Sequence, residues 1–250
     1  MKKTVLSLLI GAILSLTAGE VILDSNTCEI WEKKNLGETP NIVKAGYAIV
    51  YGTQFIPVKE GAKYTVSGEF KLPEDLKNTV TLYFGFMPFT AEGKPISFAS
   101  IFVQSNVLGT LAEEIKPGDK KAVIKDTKGW KILPHSQLAF NAKADKADLP
   151  NFDLSPVILD KESTLKEDGI LELVFKTPSK KAYPAGTPVR LHRAGNTYVY
   201  AGSTKKAGEW VKFSKTFTSF YKGCTQFKLG VNITGPKSNI EFKNISVTAE

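Results

Sequence analysis

The stretch Lys63–Pro73 reads KYTVSGEFKLP and alternates between apolar and polar residues. A period of two places Tyr64, Val66 and Phe70 on one face of an extended chain, and the polar side chains on the other. Such alternation is typical of a β-strand that has one face in a hydrophobic core and the other in water. The stretch therefore predicts a strand of a sandwich or a barrel.

The same alternation recurs towards the end of the chain. Leu171, Leu173 and Phe175 share one face of GILELVFKTP, and the run from Phe227 to Ile233 also alternates. Clusters of Gly, Pro, Asn and Asp separate these runs, and such clusters are typical of turns between strands. The strongest helical candidate is short and spans Asn106–Ile115. The chain as a whole is therefore predicted to be an all-β, antiparallel β-sandwich.

One segment lacks either periodicity. Ala139–Asp160 reads AFNAKADKADLPNFDLSPVILD, and is rich in turn-forming and charged residues. We expect it to form an irregular loop insert that lies over the sandwich.

The first nineteen residues resemble a secretory signal. Lys2 and Lys3 precede an apolar run from Val5 to Leu16, and Thr17-Ala18-Gly19 supplies small residues for cleavage. The apolar run is too short to cross a bilayer as a stable helix, although an uncleaved anchor is the alternative interpretation. We expect a signal peptide at 1–19, one β-sandwich domain at 20–250 without a transmembrane segment, and a secreted or periplasmic location.

Charge and cysteine content narrow the possible partners. The chain carries 33 Lys and Arg against 25 Asp and Glu, and its formal net charge is +8. The scattered lysines favour solubility or attraction to an anionic partner such as an acidic polysaccharide or a membrane surface. Nucleic acid is not expected, because no continuous basic stripe is present.

Cys28 and Cys224 predict either a disulfide of an exported protein or two buried free thiols.

Segments at both ends of the chain are similar to a known family. They are GTQFIPVKEGAKYTVSGEFK from Gly52, GEWVKFSKTF from Gly208, then FKLGVNITG and the terminal NIEFKNISVTAE. Together they resemble the jelly-roll carbohydrate-binding modules of families four and nine and their relatives. The resemblance implies a jelly roll whose closing strand returns beside the N-terminal strand, and a partner that is a polysaccharide or another glycan. It leaves the middle, from about Phe89 to Tyr200, unexplained.

Aromatic side chains are the candidates for binding a glycan, since sugars stack on exposed rings while polar groups contact their hydroxyls. Tyr198 and Tyr200 share one strand face. Trp210 is out of phase with Val211 and Phe213, and should point outward if those two enter the core. Each of these rings equally fits a place in the core or at a sheet edge, so both interpretations stay open.

Arg190 and His192 lie on one strand face and complete the set of binding candidates. If Gly195-Asn196 forms a hairpin, Tyr198 lies across from them. A basic group that neutralises a uronate and a side chain that removes its proton are what a polysaccharide lyase needs. The alternative interpretation is a solvent-facing basic hairpin without chemistry.

Asp145, Asp148 and Asp153 cluster in the irregular segment. Calcium prefers several oxygen ligands from a flexible loop, but the spacing equally suits Asx turns. No other cofactor is expected. We therefore favour a non-catalytic exported glycan-binding protein, with a lyase as the first alternative and a structural subunit of a cell-envelope assembly, joined through sheet edges, as the second.

Overall fold

The computed structural model describes residues 20–32, 37, 39–76, 79–166, 169–195 and 198–250. The predicted signal peptide at 1–19 lies outside these residues. The described chain is nearly all β, and its antiparallel sheets pack as a sandwich, which confirms the predicted fold class.

Two sheets form the sandwich. The first contains β1 (Glu20–Ser25), β2 (Ile42–Ala45), β5 (Tyr64–Lys71), β14 (Trp210–Phe217) and β16 (Ser238–Ala249). The second contains β3 (Val50–Tyr51), β4 (Ile56–Pro57), β6 (Leu82–Phe89), β13 (Val199–Thr204) and β15 (Gln226–Ile233). Short 3₁₀ turns lie at Cys28–Ile30, Glu74–Leu76 and Asp160–Glu162.

The strand order of the two sheets is that of a jelly roll. The first sheet runs β1–β16–β5–β14 with β2 also on β16, and the second runs β13–β6–β15–β3 with β4 also on β15. The chain passes from one of these two sheets to the other between β2 and β3, between β4 and β5, and at every later step except that from β6 to β13. Alternation of this kind is expected of two interleaved Greek keys. Glu20 of β1 pairs with Ala249 of β16, so the closing strand lies beside the first described strand.

The predicted strand faces are confirmed in the core between the two sheets. Tyr64, Val66 and Phe70 of β5 are fully buried, and they face the buried apolar row of β15 from Phe227 to Ile233. The Tyr64 hydroxyl donates to the Pro57 carbonyl at 2.8 Å, so the one polar atom that this ring buries has a partner.

A third sheet is inserted between β6 and β13. A single helical turn, α1 (Phe98–Ile101), precedes it. Its strands follow the order β10–β11–β8–β7–β12–β9, and they are β7 (Val103–Leu111), β8 (Lys121–Lys125), β9 (Ser136–Phe140), β10 (Thr164–Leu165), β11 (Leu171–Val174) and β12 (Pro188–Arg193). The sheet has its own cluster of buried residues, which includes Leu173 and Phe175. That residues 20–250 form one domain stays a prediction.

The predicted helix at Asn106–Ile115 is wrong, because most of this segment is strand β7. Packing explains the error. A Cβ at Gly109 would lie 2.8 Å from Ile124 and 3.1 Å from the Trp130 ring, so the strand lies flat against both side chains. The indole of Trp130 donates to the Val107 carbonyl at 3.0 Å. These tertiary contacts outweigh the local helix propensity of the segment.

The irregular segment Ala139–Asp160 is largely free of strand structure, as expected, but it lies mainly along the third sheet. The Phe140 amide donates to the Asp153 carbonyl, and the Ser155 amide donates to the Leu138 carbonyl, both at 2.8 Å. The segment reaches the sandwich near Pro150, which lies close to Gly223. The ammonium of Lys222 also donates to the Lys146 carbonyl at 2.9 Å.

The predicted Cys28–Cys224 disulfide is not formed among the described side chains. Cys224 carries a free thiol that donates to the Gln226 carbonyl at 3.4 Å, and the Cys28 side chain lies outside the described part of the structure. Burial raises the pKa of the Cys224 thiol to about 11. The chain ends do meet, but they meet through β1 and β16, whereas Cys224 precedes β15 of the other sheet.

Candidate binding face on the second sheet

Tyr198 and Tyr200 both lie on the outer side of the second sheet, and their rings meet edge to face at 4.8 Å. Tyr198 is 3% exposed, and its hydroxyl donates to the Gly230 carbonyl. Tyr200 is 38% exposed. The two rings therefore differ in role, since Tyr198 supports the face while Tyr200 presents a ring to solvent.

Two glycines make room for these rings. Across four strands, Tyr200 is opposite Gly85, Gly85 is opposite Gly230, and Gly230 is opposite Tyr51. A Cβ at Gly230 would lie 2.7 Å from the Tyr198 ring, so the ring packs directly on the backbone of β15. The two central strands therefore carry no side chain in this row, and Tyr200 and Tyr51 lie on either side of them.

Tyr83 and Asn232 form the next row of the same face, opposite each other on β6 and β15. The Tyr83 ring lies 5.0 Å from that of Tyr200. Among the described residues, the buried Oδ1 of Asn232 has no hydrogen-bond partner. A buried acceptor without a donor is costly, and a ligand hydroxyl could bond to it only after the side chains that cover it move aside.

Further aromatic rings extend the face towards the start of β15. Phe55 is 37% exposed, contacts Phe89 edge to face at 5.2 Å, and lies 4.3 Å from the ammonium of Lys228. Tyr51 also meets Phe89 edge to face, at 6.2 Å. We call this surface the aromatic face, and define it by Tyr51, Phe55, Tyr83, Phe89, Tyr198, Tyr200 and Asn232.

The phenols of Tyr198 and Tyr51 stay protonated at neutral pH. Burial raises the pKa of Tyr198 well above its usual value, and burial together with the charge of Glu32 raises the pKa of Tyr51. Both rings are therefore neutral, and neutral aromatic rings can stack against the apolar faces of sugars.

Sequence reasoning found Tyr198 and Tyr200 but missed Tyr51, Phe55, Tyr83 and Asn232. The signal for Tyr83 was present, because it is out of phase with the core residues Leu82 and Phe84. In the run Val80–Phe89 apolar residues occupy both phases, so periodicity alone does not single out an outward-facing ring.

Trp210 points outward, as predicted, but from the other side of the sandwich. It lies on β14, the edge strand of the first sheet, and is 38% exposed. The ammonium of Lys243 lies 4.2 Å from the centre of its ring. The structure thus separates Trp210 from the aromatic face by the thickness of the sandwich.

Arg190 and His192 share a face of β12, as predicted, but both are buried. The Arg190 guanidinium donates to both carboxylate oxygens of Asp148, at 2.7 and 3.2 Å, and to the Lys143 carbonyl at 3.0 Å. Its Nε donates to Nε2 of His192 at 2.9 Å. The predicted solvent-facing basic hairpin is therefore wrong.

His192 is held as a neutral imidazole. Its Nδ1 lies 2.5 Å from the Ala99 carbonyl oxygen and must donate to it, while Nε2 accepts from Arg190. Burial, aided by the positive charge of Arg190, lowers the pKa of His192 to about 4. Both ring nitrogens are thus occupied, and the imidazole is enclosed away from solvent.

The constellation that a lyase would need is not assembled. β12 belongs to the third sheet and β13 to the second, so Tyr198 does not lie across a hairpin from Arg190. Asn196 lies outside the described residues. Arg190 is already paired with Asp148 in the protein interior, which leaves it no open position for a uronate.

The three aspartates of the predicted calcium loop have separate partners. Asp148 pairs with Arg190, Asp153 accepts from Lys181 at 2.6 Å and from Tyr183 at 2.7 Å, and Asp145 accepts from the Ala147 amide at 3.0 Å. The last contact is an Asx turn. In the described part of the chain, no group of three His, Cys, Asp or Glu residues is arranged to hold a metal ion.

Comparison with known proteins identifies no relative. No family model, no curated protein and no solved structure matches the chain. Within the described ranges, no helix has the length and apolar character needed to span a bilayer.

Proposed function

We propose that the protein is an exported, non-catalytic binder of a glycan, and that the aromatic face is its binding site. The observation that carries the proposal is the row of tyrosines on the outer side of the second sheet, with Tyr200 exposed on β13 and the buried, unpartnered Oδ1 of Asn232 on the same face of β15. Rings for stacking and polar atoms for hydroxyls are the two elements of a sugar site.

The arrangement also supports binding without large conformational change. Tyr198 is fixed beneath Tyr200 by its hydrogen bond to Gly230 and by its contact with the β15 backbone. Tyr83 adds a second ring 5.0 Å from Tyr200. Side chains that are held in place before binding lose little conformational entropy when a ligand arrives.

The alternative functions have weaker support. A lyase would need Arg190 and His192 in contact with substrate, and both side chains are buried and paired. Assembly through sheet edges would favour β14, but its exposed side chains include Lys212 and Lys215, and edge lysines oppose pairing with another strand.

Native affinity electrophoresis against a panel of neutral and acidic polysaccharides tests the proposal. We expect retardation by at least one glycan, with no release of new reducing ends and no unsaturated product absorbing in the ultraviolet. Failure of every glycan to retard the protein would contradict the proposed function. Product formation would instead establish an enzyme.

Asn232→Ala separates binding from folding. Because the variant removes a buried acceptor without a partner, we expect its free energy of unfolding to be equal to or above that of the parent. We expect its retardation by the same glycan to be weaker. Unchanged retardation would exclude Asn232 from the site.

A further inference from the structure

A cleft opens between the two sheets of the sandwich, beside the edge strands β13 and β14. It has a volume of about 290 Å³, near the lower end of the range of roughly 300–1,000 Å³ that small-molecule sites occupy. Val199 of β13 and Phe217 of β14 both line it, so the cleft is bounded by both sheets. We call it the edge cleft.

Aromatic side chains line the interior of the edge cleft. Phe86 and Phe217 are buried, and their rings meet edge to face at 4.9 Å. The half-buried ring of Phe220 lies 5.6 Å from that of Phe86 and stacks on Phe227 at 5.8 Å. Pro88, which is also buried, adds further apolar surface. Because these rings hold one another in place, the apolar surface is formed before a ligand arrives.

The loop between β14 and β15 supplies the mouth of the cleft. The Cys224 amide donates to the Tyr221 carbonyl at 2.9 Å, and Gly223 provides the positive φ of 80° within this turn. Half-buried Tyr221 and exposed Ser219 both belong to the lining. The lining therefore passes from buried apolar rings to exposed polar groups, as is typical of a small-molecule site.

Lys215 breaks the apolar pattern of the inward-facing side chains of β14. It shares its phase with Phe213 and Phe217, which are both buried in the core of the sandwich. Its own side chain is exposed and lines the cleft, and its ammonium lies 5.3 Å from the centre of the Phe217 ring. Among the described side chains, no ion pair includes Lys215. A cation thus lies at the mouth of an apolar cleft.

We propose that the edge cleft binds a small aromatic carboxylate, with its ring among Phe86, Phe217 and Phe220 and its carboxylate at Lys215. Ring-to-ring packing and burial of apolar surface supply most of the attraction. The ammonium of Lys215 selects an anion over a neutral or cationic analogue. This is a second site, because none of its lining residues belongs to the aromatic face, and it does not rest on the proposed glycan binding.

Lys215 has a simpler alternative role. Lysines on an edge strand prevent the addition of another strand, and β14 is an edge strand. That role needs only an exposed charge, which Lys212 of the same strand also provides. Lys212 lies in the opposite phase and does not line the cleft. The two lysines are therefore a matched pair for distinguishing ligand binding from edge protection.

Titration by saturation-transfer NMR tests the proposal. The probes are 3-phenylpropionate, its neutral amide 3-phenylpropanamide and the cation 3-phenylpropylamine. Lys215→Gln removes the proposed anion partner, and Lys212→Gln is its control of equal charge. Ser219→Phe adds a ring to the lining, and Thr218→Phe is its control, because Thr218 is equally exposed but lies outside the lining.

We expect the parent to bind 3-phenylpropionate with a millimolar or lower dissociation constant, as a ligand of this size allows. Lys215→Gln should bind it about threefold to fivefold more weakly, as the loss of one exposed ion pair implies. The amide should bind the parent as weakly as the acid binds Lys215→Gln, and the amine more weakly still. Ser219→Phe should abolish binding, whereas Lys212→Gln and Thr218→Phe should bind like the parent.

Several results would overturn the inference. They are absence of 3-phenylpropionate binding to the parent, equal effects of Lys215→Gln and Lys212→Gln, and amide binding as tight as acid binding. Parent-like binding by folded Ser219→Phe would place the ligand elsewhere. Self-association of Lys215→Gln in sedimentation, with unchanged ligand binding, would assign this lysine to edge protection alone. If Ser219→Phe does not fold, the lysine pair alone decides the question.

Discussion

Nε of Arg190 donates a hydrogen bond of 2.9 Å to Nε2 of His192, two residues further along β12. The contact requires that the histidine accept at Nε2, so it exists only with a neutral imidazole. The same guanidinium also donates to Asp148, which lies in a loop 42 positions earlier in the sequence. These three residues therefore connect the irregular segment to the third sheet, and the protonation state of His192 determines whether the connection stays intact.

The first prediction is a loss of stability in mild acid that depends on His192. Its pKa is about 4 in the folded protein, below the 6.5 of a free histidine, so protons bind the unfolded chain preferentially. The free energy of unfolding should fall as pH decreases from about 6.5 to about 4, by on the order of 3 kcal/mol. Denaturant unfolding between pH 7 and pH 4 measures it.

The test of this prediction is His192→Gln, which should flatten the pH dependence of the parent over this range. A parallel pH dependence in His192→Gln and the parent would contradict the role of the cluster.

Asp148 acts at lower pH. Burial alone would raise its pKa, but hydrogen bonds from Arg190 and Asn151 hold it at about 2, so its contribution is lost only below about 3.8.

The second prediction concerns the buried ion pair itself. Asp148→Asn leaves the Arg190 guanidinium buried without its counter-charge, and we expect a loss of about 3–5 kcal/mol in the free energy of unfolding. Asp145→Asn is the matched control from the same loop, because Asp145 is exposed and accepts one local hydrogen bond. Equal effects of the two substitutions in denaturant titrations would show that Asp148 is not a buried partner.

The third prediction tests the support of the aromatic face. Gly230→Ala would place a Cβ 2.7 Å from the Tyr198 ring, and the ring must move. We expect a loss of about 1–3 kcal/mol in stability and weaker retardation by the glycan. Gly109→Ala, which meets Ile124 at 2.8 Å in the third sheet, should cost similar stability and leave retardation unchanged. Glycan binding that falls equally in both variants would point to a general effect of destabilisation.

The fourth prediction concerns the cysteines. Since Cys224 carries a free thiol, Cys28→Ser should change the free energy of unfolding by less than about 1 kcal/mol, whereas loss of a disulfide across so long a loop would cost about 4–5 kcal/mol. The thiol of Cys224 in this variant should react slowly with an alkylating reagent at pH 8, because its pKa is about 11. Rapid reaction in the folded state, or a large loss of stability, would contradict the described environment of Cys224.

Much of the sandwich could be predicted from the sequence because its strands repeat a simple period. Tyr64, Val66 and Phe70 alternate with polar residues, and the structure buries all three. The helix predicted at Asn106–Ile115 failed because Gly109 lies against Trp130, a contact between segments that no local pattern reveals. The third sheet was missed for the same reason.

The candidate site was only partly predictable. Periodicity placed Tyr198 and Tyr200 on one face, but their different exposure depends on Gly230, which lies 30 or more positions further along the chain. Arg190 and His192 looked like exposed basic residues, because their partner Asp148 joins them only in the folded protein. Pairing between distant residues decides burial, and a period within one strand contains no information about it.

The most direct test of the aromatic face compares Tyr200→Ala with Trp210→Ala. Both rings are 38% exposed on edge strands of the sandwich, but they lie on opposite sheets. The measurement is the dissociation constant of each variant for a glycan that retards the parent. Our account predicts at least tenfold weaker binding for Tyr200→Ala, as loss of a stacking ring implies, and parent-like binding for Trp210→Ala. The reverse result, with Trp210→Ala impaired and Tyr200→Ala unchanged, would contradict it and move the site to the first sheet.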